Sequence, residues 1–440
     1  MSIAGISAEE TIDAEFTKTQ EGLSLMKSYK FRLYPTKKQV ETLEWTLDHC
    51  RDLYNAALDE RKSAYRVTRK VPVAMWGSVA TVNEAAARGL SISYHEQALQ
   101  LPQIKEICPE YKQIHSQVLQ DVLKRVDKGM KAFFRRVKNG EKAGYPRFQG
   151  ENRYESFTYP QTGFSLENGK LVLSKIGPIK IKLHRETRGT IKTCTIKREG
   201  EHWYVTFSCE VEQVKCPPST SLSIGIDMGL LHFATDSNGD TLENPRYFRK
   251  SRGHLKKLQV SLSRKKKSHR RRKAARLVAK AHRKIRNQRK DFHHKAARIL
   301  VQTYETIVFE DLSIHHMVRR PKPKQDEHGK YLPNGAAAKG GLNKSIQDAG
   351  WASFIALVEH KAAWAGVTVS KVNPYKTSQM CSACHKEGEH KDLSIRTHVC
   401  IHCGVVLDRD HNAAINIRDR GLGRSLREPA SQGTFREALA

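Results

Sequence analysis

The chain has 440 residues, with 77 Lys and Arg against 46 Asp and Glu, a formal net charge of +31. That length exceeds one ordinary core and predicts two or three domains, while so one-sided a charge strains a compact state unless a polyanion neutralises it. No apolar run reaches the ~18 residues that span a bilayer, the acids Glu9, Glu10 and Asp13 stand where a signal peptide would be basic, and nine cysteines, an odd count, do not make a closed disulfide framework; nucleic acid is the expected partner, an anionic membrane the alternative, and the protein is expected to be intracellular.

Residues 1–25 read as a loose leader. Tyr29-Lys30-Phe31-Arg32-Leu33-Tyr34 alternates basic and apolar side chains, the period of a half-exposed strand, and Pro35 ends it. Thr36 then precedes a helical pattern with Val40, Leu43, Leu47, Leu53 and Tyr54 at three- and four-residue steps. Helical patterning continues with breaks to about Lys138, and is clearest from Ile114 to Val137, where Val118, Val122, Val126 and Phe133 share one side.

Gly144-Tyr145-Pro146-Arg147-Phe148 marks a change to short strands at 170–173, 179–183, 193–197 and 203–207, a spacing that suggests a small barrel or sandwich. The early strand around Phe31 could join it, which makes the helical part an insertion. Cys216-Pro217-Pro218-Ser219-Thr220 reads as a linker. A new domain opens at Leu222, where Ser223 to Asp227 is a strand ending in a carboxylate. A second strand, Leu231 to Thr235, and a turn at 237–240 follow. From Arg249 to Arg298 there are 22 Lys and Arg and one acid, Asp291. A thread of Leu255, Leu258, Leu262, Leu277, Ile285 and Phe292 predicts two helices around a charged break at 265–272. Tyr304 to Glu310 is another apolar strand ending in a carboxylate. Residues 319–343, rich in Pro, Gly, Lys and Asn, are expected to form a mobile loop. Trp351 to Ala365 is helical, Val367 to Val372 a strand, and Asp410 to Ile417 a short helix; the last fifteen or so residues carry little pattern.

Cys381, Cys384, Cys400 and Cys403 have the spacing C-x2-C-x15-C-x2-C. Two such pairs supply four thiolates, the donor set of a closed, structural, tetrahedral zinc site. His385, His390, His398 and His402 lie close enough in sequence to compete as ligands but fit the knuckle pattern less well. The other five cysteines, Cys50, Cys108, Cys194, Cys209 and Cys216, are scattered and are expected to be ordinary thiols.

Asp227, Glu310 and Asp410 are distant in sequence, yet each stands at an element boundary. If a fold gathers those boundaries, the acids form a self-repelling pocket that divalent cations convert into a clamp for phosphoryl transfer. Taken singly, each is an ordinary surface acid. The basic segment between the first two is suited to phosphates, and Arg270, Arg271, Arg272 and Lys273 are its candidate contacts.

Gly225-Ile226-Asp227-Met228-Gly229, Phe309-Glu310-Asp311-Leu312, the paired cysteines and Asp408 to Ile417 together resemble the TnpB (OrfB) proteins of bacterial and archaeal insertion sequences. Phe31 to Pro35, Gly144 to Phe148 and Thr377 to Cys381 resemble them too, so the likeness runs from about residue 27 to 418. The resemblance implies an α/β multidomain protein. Its nuclease domain would be RuvC-like and RNase H-type (222–418), with a zinc ribbon (376–405) inserted before the last acid. Its wedge-like β-barrel domain (26–36 and 141–216) would be interrupted by a helical recognition lobe (37–140). A leader (1–25), a linker (217–221) and a disordered tail (419–440) complete the plan. The implied activity is that of a transposon-encoded, RNA-guided DNA endonuclease related to type V CRISPR effectors. It would bind a guide RNA and cut a double-stranded DNA target beside a short motif. Asp227, Glu310 and Asp410 would hold two Mg2+ ions, with one structural Zn2+ at the cysteines. Asp408 is also a candidate third acid; Asp410 is chosen because the family's acid stands two residues before Asn-Ala-Ala. A cytoplasmic, nucleoid-associated prokaryotic protein with no membrane partner is implied. A non-cutting regulator, a strand-transferring transposase and a compact CRISPR effector are the competing readings.

Overall fold

The computed structural model describes residues 24–70, 92–151, 153–212, 218, 220–266, 268–388 and 395–423. The leader up to Leu23, Cys216, His390 and the tail beyond Gly423 lie outside the described residues. The chain divides into two compact units, one up to Gln213 and one from Val214.

In the first unit the sheet is built of β1 (Ser24–Tyr34), β2 (Ser156–Tyr159), β3 (Phe164–Glu167), β4 (Lys170–Leu173), β5 (Gly177–Lys182), β6 (Thr190–Glu199) and β7 (His202–Glu212). Their spatial order is β2-β6-β7-β1-β5-β4-β3, and every pairing is antiparallel. The first strand therefore lies in the middle of the sheet. It does so because Tyr29, Phe31 and Leu33 all point inward and are buried, while Lys30 stays exposed. It also begins earlier than Tyr29, pairing with β7 from Ser24 onward.

Among the described residues four α-helices intervene between β1 and β2: α1 (Lys37–Lys70), α2 (Tyr94–Leu99), α3 (Leu101–Ile107) and α4 (Ser116–Lys138). Thr36 starts α1 through a reciprocal cap: the Gln39 amide donates to Thr36 Oγ1 (3.3 Å), and the Thr36 amide donates to Gln39 Oε1 (3.0 Å). Val118, Val122, Val126 and Phe133 of α4 are all buried. The first three share one core with Leu43, Leu47 and Leu58 of α1 and with Phe157, Ile196, Val205 and Phe207 of the sheet.

The second unit opens with β8 (Ser223–Met228), β9 (His232–Asp236) and β10 (Thr241–Glu243). Next come α5 (Tyr247–Ser263), α6 (His269–Thr303), β11 (Thr306–Glu310), α7 (Ile314–Met317), β12 (Lys324–Gln325), β13 (Tyr331–Leu332) and α8 (Ala336–Ala349). Among the described residues α9 (Trp351–Ala365), β14 (Thr368–Val372), β15 (Thr397–Val399), β16 (Val406–Asp408) and α10 (Arg409–Gly421) follow. The main sheet has the order β10-β9-β8-β11-β14, with β8, β11 and β14 parallel. Period-two alternation sorts its side chains. Ile224, Ile226 and Met228 of β8 and Ile307 and Phe309 of β11 enter a core with Ala296, Ala297 and Leu300 of α6 and with Phe354 and Val358 of α9. Gly225, Asp227, Val308 and Glu310 consequently take the opposite face.

Helix α10 lies on that opposite face at backbone distance. A Cβ on Gly225 would stand 2.2 Å from the Ala414 carbonyl oxygen, and one on Gly421 would stand 2.4 Å from Val308 Cγ1. Small residues at both crossing points let the helix sit directly over β8 and β11.

Three expectations need correction. Residues 319–343 are not a loop throughout. They hold the β12–β13 hairpin, whose turn is closed by Asp326 Oδ1 accepting from the amides of His328 (3.0 Å) and Lys330 (2.8 Å), and the first half of α8, where an Ala run favours helix. The break between the basic helices is shorter than 265–272. Ser268 caps α6 by accepting from the Arg271 amide (3.3 Å), so His269 to Arg272 form its first turn. At the C-terminal end, α10 runs on to Gly421, into the stretch expected to be a disordered tail from 419.

Candidate functional site

The strand alternation that fills the core also gathers the acids. Phe309 pairs with Ile226 in the parallel β8–β11 ladder, so Asp227 and Glu310 follow on neighbouring strands, about 4.8 Å apart, and face the same way. Asp410 arrives from α10, in the first turn of the helix that crosses this face. Gly229 lies next to it: a Cβ there would stand at an ordinary 4.0 Å from Asp410 Oδ2 but only 2.8 Å from the His232 carbonyl oxygen, the close approach that the glycine allows. The structure thus brings together all three acids singled out in the sequence.

Electrostatics bind them into one group. Burial, reinforced by the charges of Glu310 and Asp410, pushes the Asp227 carboxyl well above the usual carboxylate range. Burial also raises Glu310, opposed by the Thr377 hydroxyl that donates to its Oε1. Asp410 is raised by burial and then by Asp408, and Arg396 Nη1 stands 3.6 Å from its Oδ1. Acids that resist ionising together, with only partial compensation from Arg396, Arg409 and Arg420, fit a hard divalent cation with oxygen ligands. Among the described residues the four cysteines are the one set gathered tightly enough to share a single ion; the carboxylates are a more open group.

Asp408 and Asp410 have different work. Asp408 is the N-cap of α10, its Oδ1 accepting from the amides of Asp410 (2.9 Å) and His411 (3.1 Å). A carboxylate spent on two orphan helix donors is tied to the backbone. Asp410 makes no such bond and is the one whose charge acts next after Glu310 on Asp227.

The four cysteines lie with their Sγ atoms all within 4.8 Å of one another, as a tetrahedral zinc site needs. Two matching turns hold them. In one, the His385 amide donates to the Cys381 carbonyl and the Cys381 amide to the Lys386 carbonyl, both at 3.0 Å. In the other, Gly404 donates to Cys400 and Cys400 to Val405, again at 3.0 Å. His385 (φ +57°) and Gly404 (φ +72°) occupy the same left-handed turn position. Among the described histidines none joins the thiol group: His385 shapes a turn, His398 is buried on β15, and His402 is exposed. Burial pushes the Cys381 thiol up to about 12; at Cys400 burial is outweighed by the backbone amides of Cys403 and His402 and the neighbouring thiols, which bring it down to about 6. Cys50, Cys194 and Cys209 are buried and Cys108 half-buried.

The basic residues Arg270, Arg271, Arg272 and Lys273 are all exposed at the start of α6. Arg271 is engaged within the protein, donating through Nη1 to the carbonyls of Leu262 (3.0 Å) and Lys265 (2.8 Å) at the end of α5. That leaves Arg270, Arg272 and Lys273 as the outward charges of the set. The start of α5 is held from far along the chain: buried Asp348 accepts from the amides of Phe248 (2.9 Å) and Arg249 (3.1 Å).

Sequence reasoning missed Thr377, Asn412 and Asn416. Asn416 Nδ2 donates to the carbonyls of Thr377 and Met380, both at 2.8 Å. Asn412 Nδ2 donates to Met380 (2.8 Å), and its Oδ1 accepts from the Ser382 amide (2.9 Å). The available signal was two buried amides four residues apart on one helix, a spacing that puts them on one face.

An acidic centre on a mixed sheet and a four-cysteine cluster are donor sets of the kind that can hold metal ions, and comparison with known sequences narrows the class. Residues 206–320 match the OrfB family model, described as "Probable transposase". Residues 351–417 match a "Cas12f1-like, TNB domain", and residues 26–70 a "Helix-turn-helix domain". In this chain 26–70 is instead most of β1 followed by α1. The chain is 30% identical to the "Putative RNA-guided DNA endonuclease InsQ" of Escherichia coli (strain K12), over 90% of this chain and 92% of the relative. It is 29% identical to a "Putative RNA-guided DNA endonuclease" of Streptomyces pristinaespiralis, over 91% and 90% respectively. It also overlays on the solved Cas12f1–sgRNA–target DNA complex across 90% of this chain and 99% of that one, at 16% identity and a TM-score of 0.32, too loose an overlay to argue from. The chain belongs to the TnpB (OrfB) family.

Proposed function

We propose that this protein is an RNA-guided DNA endonuclease of an insertion sequence. It binds a transposon-derived guide RNA and cuts double-stranded DNA beside a short target-adjacent motif. The observation that carries the proposal is the common face of Asp227, Glu310 and Asp410, three acids from β8, β11 and α10 whose carboxyls all stay raised although Arg396, Arg409 and Arg420 partly oppose the shift. The relatives' names as RNA-guided endonucleases support it. So does the +31 charge, since guide pairing delegates sequence choice to RNA and leaves the protein to grip backbone phosphates.

In this proposal residues 222–418 form a RuvC-like, RNase H-type nuclease domain with a zinc ribbon at 376–405. Residues 26–36 and 141–216 form the wedge-like domain, and 37–140 the recognition lobe. The compartment is the cytoplasm of a prokaryote, at the nucleoid. Asp227, Glu310 and Asp410 would hold two magnesium ions, which when bound supply an activated water and charge neutralisation at the phosphodiester. The chain's own acids keep that charge in register: Asp227 and Glu310 ride on a rigid parallel ladder, and Asp410 on a helix whose crossing is fixed at Gly225. Cys381, Cys384, Cys400 and Cys403 would hold one zinc ion as a structural clasp with no open position for substrate.

The test is to purify the protein with its RNA, sequence that RNA, and assay cleavage of a matching target. Asp227→Ala, Glu310→Ala and Asp410→Ala are each expected to abolish cutting while target binding stays near wild type. Normal cutting by Asp410→Ala with loss in Asp408→Ala would overturn the choice of third acid. Binding without cutting by the wild type, under any divalent metal, would make the protein a regulator.

A further inference from the structure

We propose that Thr377 is a positioning residue of the carboxylate centre, its hydroxyl fixing one oxygen of Glu310 so that this acid presents a set orientation to a bound cation. The inference rests on the proposed function and deepens it.

Glu310 is buried at 8% exposure and Thr377 at 4%, and Thr377 Oγ1 donates to Glu310 Oε1. An ionised carboxylate can only accept, so the single hydroxyl proton goes to Glu310. Pro374's carbonyl, 3.3 Å from the same Oγ1, is then a neighbour. With Oε1 held, the carboxylate cannot turn about its last bond without breaking a hydrogen bond to a charged group, one of the stronger kinds.

Thr377 is itself held in place. Its carbonyl accepts from Asn416 of α10 at 2.8 Å. The following segment is pinned by Asn412 and Asn416 at Met380, and by Asn412 at Ser382. On the other side, Arg420 Nη1 donates to the carbonyls of Asn373 (3.1 Å) and Tyr375 (2.7 Å). Lys376, directly before Thr377, is in the left-handed region (φ +57°), a conformation that the surrounding bonds impose on a residue that rarely adopts it. One helix thus carries Asp410 at its start and, through Asn416 and Arg420, the loop that orients Glu310. Two acids of the centre are referred to the same rigid body. Outer partners of this kind typically change metal affinity or activity by ~10–100-fold when removed.

The experiment uses the full-length protein with its co-purified RNA and compares Thr377→Ser, Thr377→Ala and Thr377→Val with wild type. Ferrous iron replaces magnesium, ascorbate and peroxide are added, and mass spectrometry locates iron-directed backbone cuts near residues 227 and 310; DNA cleavage is titrated with magnesium in parallel. Thr377→Ala and Thr377→Val are expected to need roughly tenfold or more metal for half-saturation of both signals, and Thr377→Ser to stay within about threefold of wild type. Serine and alanine variants that behave alike, or an alanine variant matching wild type, would overturn the proposal. Should valine misfold, judged by thermal melting, the serine–alanine pair decides on the same readouts. A wild type that neither cuts DNA nor shows iron-directed cuts at these strands would overturn the carboxylate centre and this inference with it. A wild type that does both while alanine matches it removes only the role of Thr377.

Discussion

Gly225 is where the fold and the proposed chemistry depend on one hydrogen atom. Its backbone is not in the left-handed region, so alanine introduces no torsional strain of its own. The added methyl would, however, stand 2.2 Å from the Ala414 carbonyl oxygen and 2.5 Å from the Arg418 nitrogen. Ordinary contact begins at 3.4 Å, and both obstacles are helix backbone that no rotamer change can clear. Helix α10 must therefore retreat from β8 by about 1.2 Å, taking Asp410 away from Asp227 and Glu310. Overpacking of this kind costs about 1–3 kcal/mol, which in a unit of this size lowers the melting temperature by roughly 2–4 °C per kcal/mol. A shift of about 1 Å at a reacting centre costs on the order of 100-fold in rate. Gly225→Ala is expected to show both effects, measured by calorimetry and by single-turnover cleavage at saturating metal. Gly253→Ala is the control, since a Cβ there meets nothing within 4 Å; in the middle of α5 it should stabilise by up to ~1 kcal/mol. A Gly225→Ala protein that melts with wild type and cuts at the wild-type rate would refute the account of α10 as the carrier of the third acid.

Cys381→Ser or Cys400→Ser is expected to lower zinc content from one ion per chain and to reduce soluble yield, because structural zinc contributes folding energy directly; elemental analysis that finds no zinc in active wild type would refute it. Replacing Arg270, Arg272 and Lys273 together by Ala should weaken binding alike for all guides and flatten the slope of log affinity against log salt by about 0.7–0.9 for each phosphate no longer neutralised. Arg271→Ala should instead loosen the α5–α6 corner, because its guanidinium caps the carbonyls of Leu262 and Lys265, and leave that slope nearly unchanged. Burial holds His293 down to about 4, so the unfolded chain takes up its proton first as pH falls from 6.5. Stability is therefore lost across the window from 6.5 to about 4, by up to ~3 kcal/mol from this group. The difference in unfolding free energy between wild type and His293→Gln should move by that amount over the window; a constant difference would refute a buried neutral imidazole.

Much of the fold was legible because its periodicities are clean. The alternation of Tyr29, Phe31 and Leu33 announced β1, and Val118, Val122 and Val126 announced α4, since each pattern buries one side only. The central place of β1 was no more than a possibility in the sequence. Pairing partners are long-range, and nothing local distinguishes a strand that joins β7 from one that stands alone. The loop expected at 319–343 shows composition misleading: Pro, Gly and Lys dominate there, yet Asp326 and Gly329 specify a turn and Ala336 to Ala338 a helix start. Local turn chemistry outweighed average polarity.

The site divides along the same line. Asp227 and Glu310 could be found as strand-terminal acids, and the two-residue period even assigns them a common face once Ile226 and Phe309 are known to point inward. The choice between Asp408 and Asp410 was not decided by strand patterns; it rested on the family pattern before Asn-Ala-Ala. A purely physical signal was also present: an acid immediately before a helix, with its side chain in reach of the next amides, is a cap before it is a ligand. Asp408 makes those bonds and Asp410 does not. Thr377, Asn412 and Asn416 could not be found that way, because their partners are backbone carbonyls and a carboxylate far along the chain, as in the 67-residue step from Glu310 to Thr377. Such residues are constrained by where two elements meet, and a single sequence records the residue without the meeting. That is why the acids were readable and the groups hydrogen-bonded around them were not.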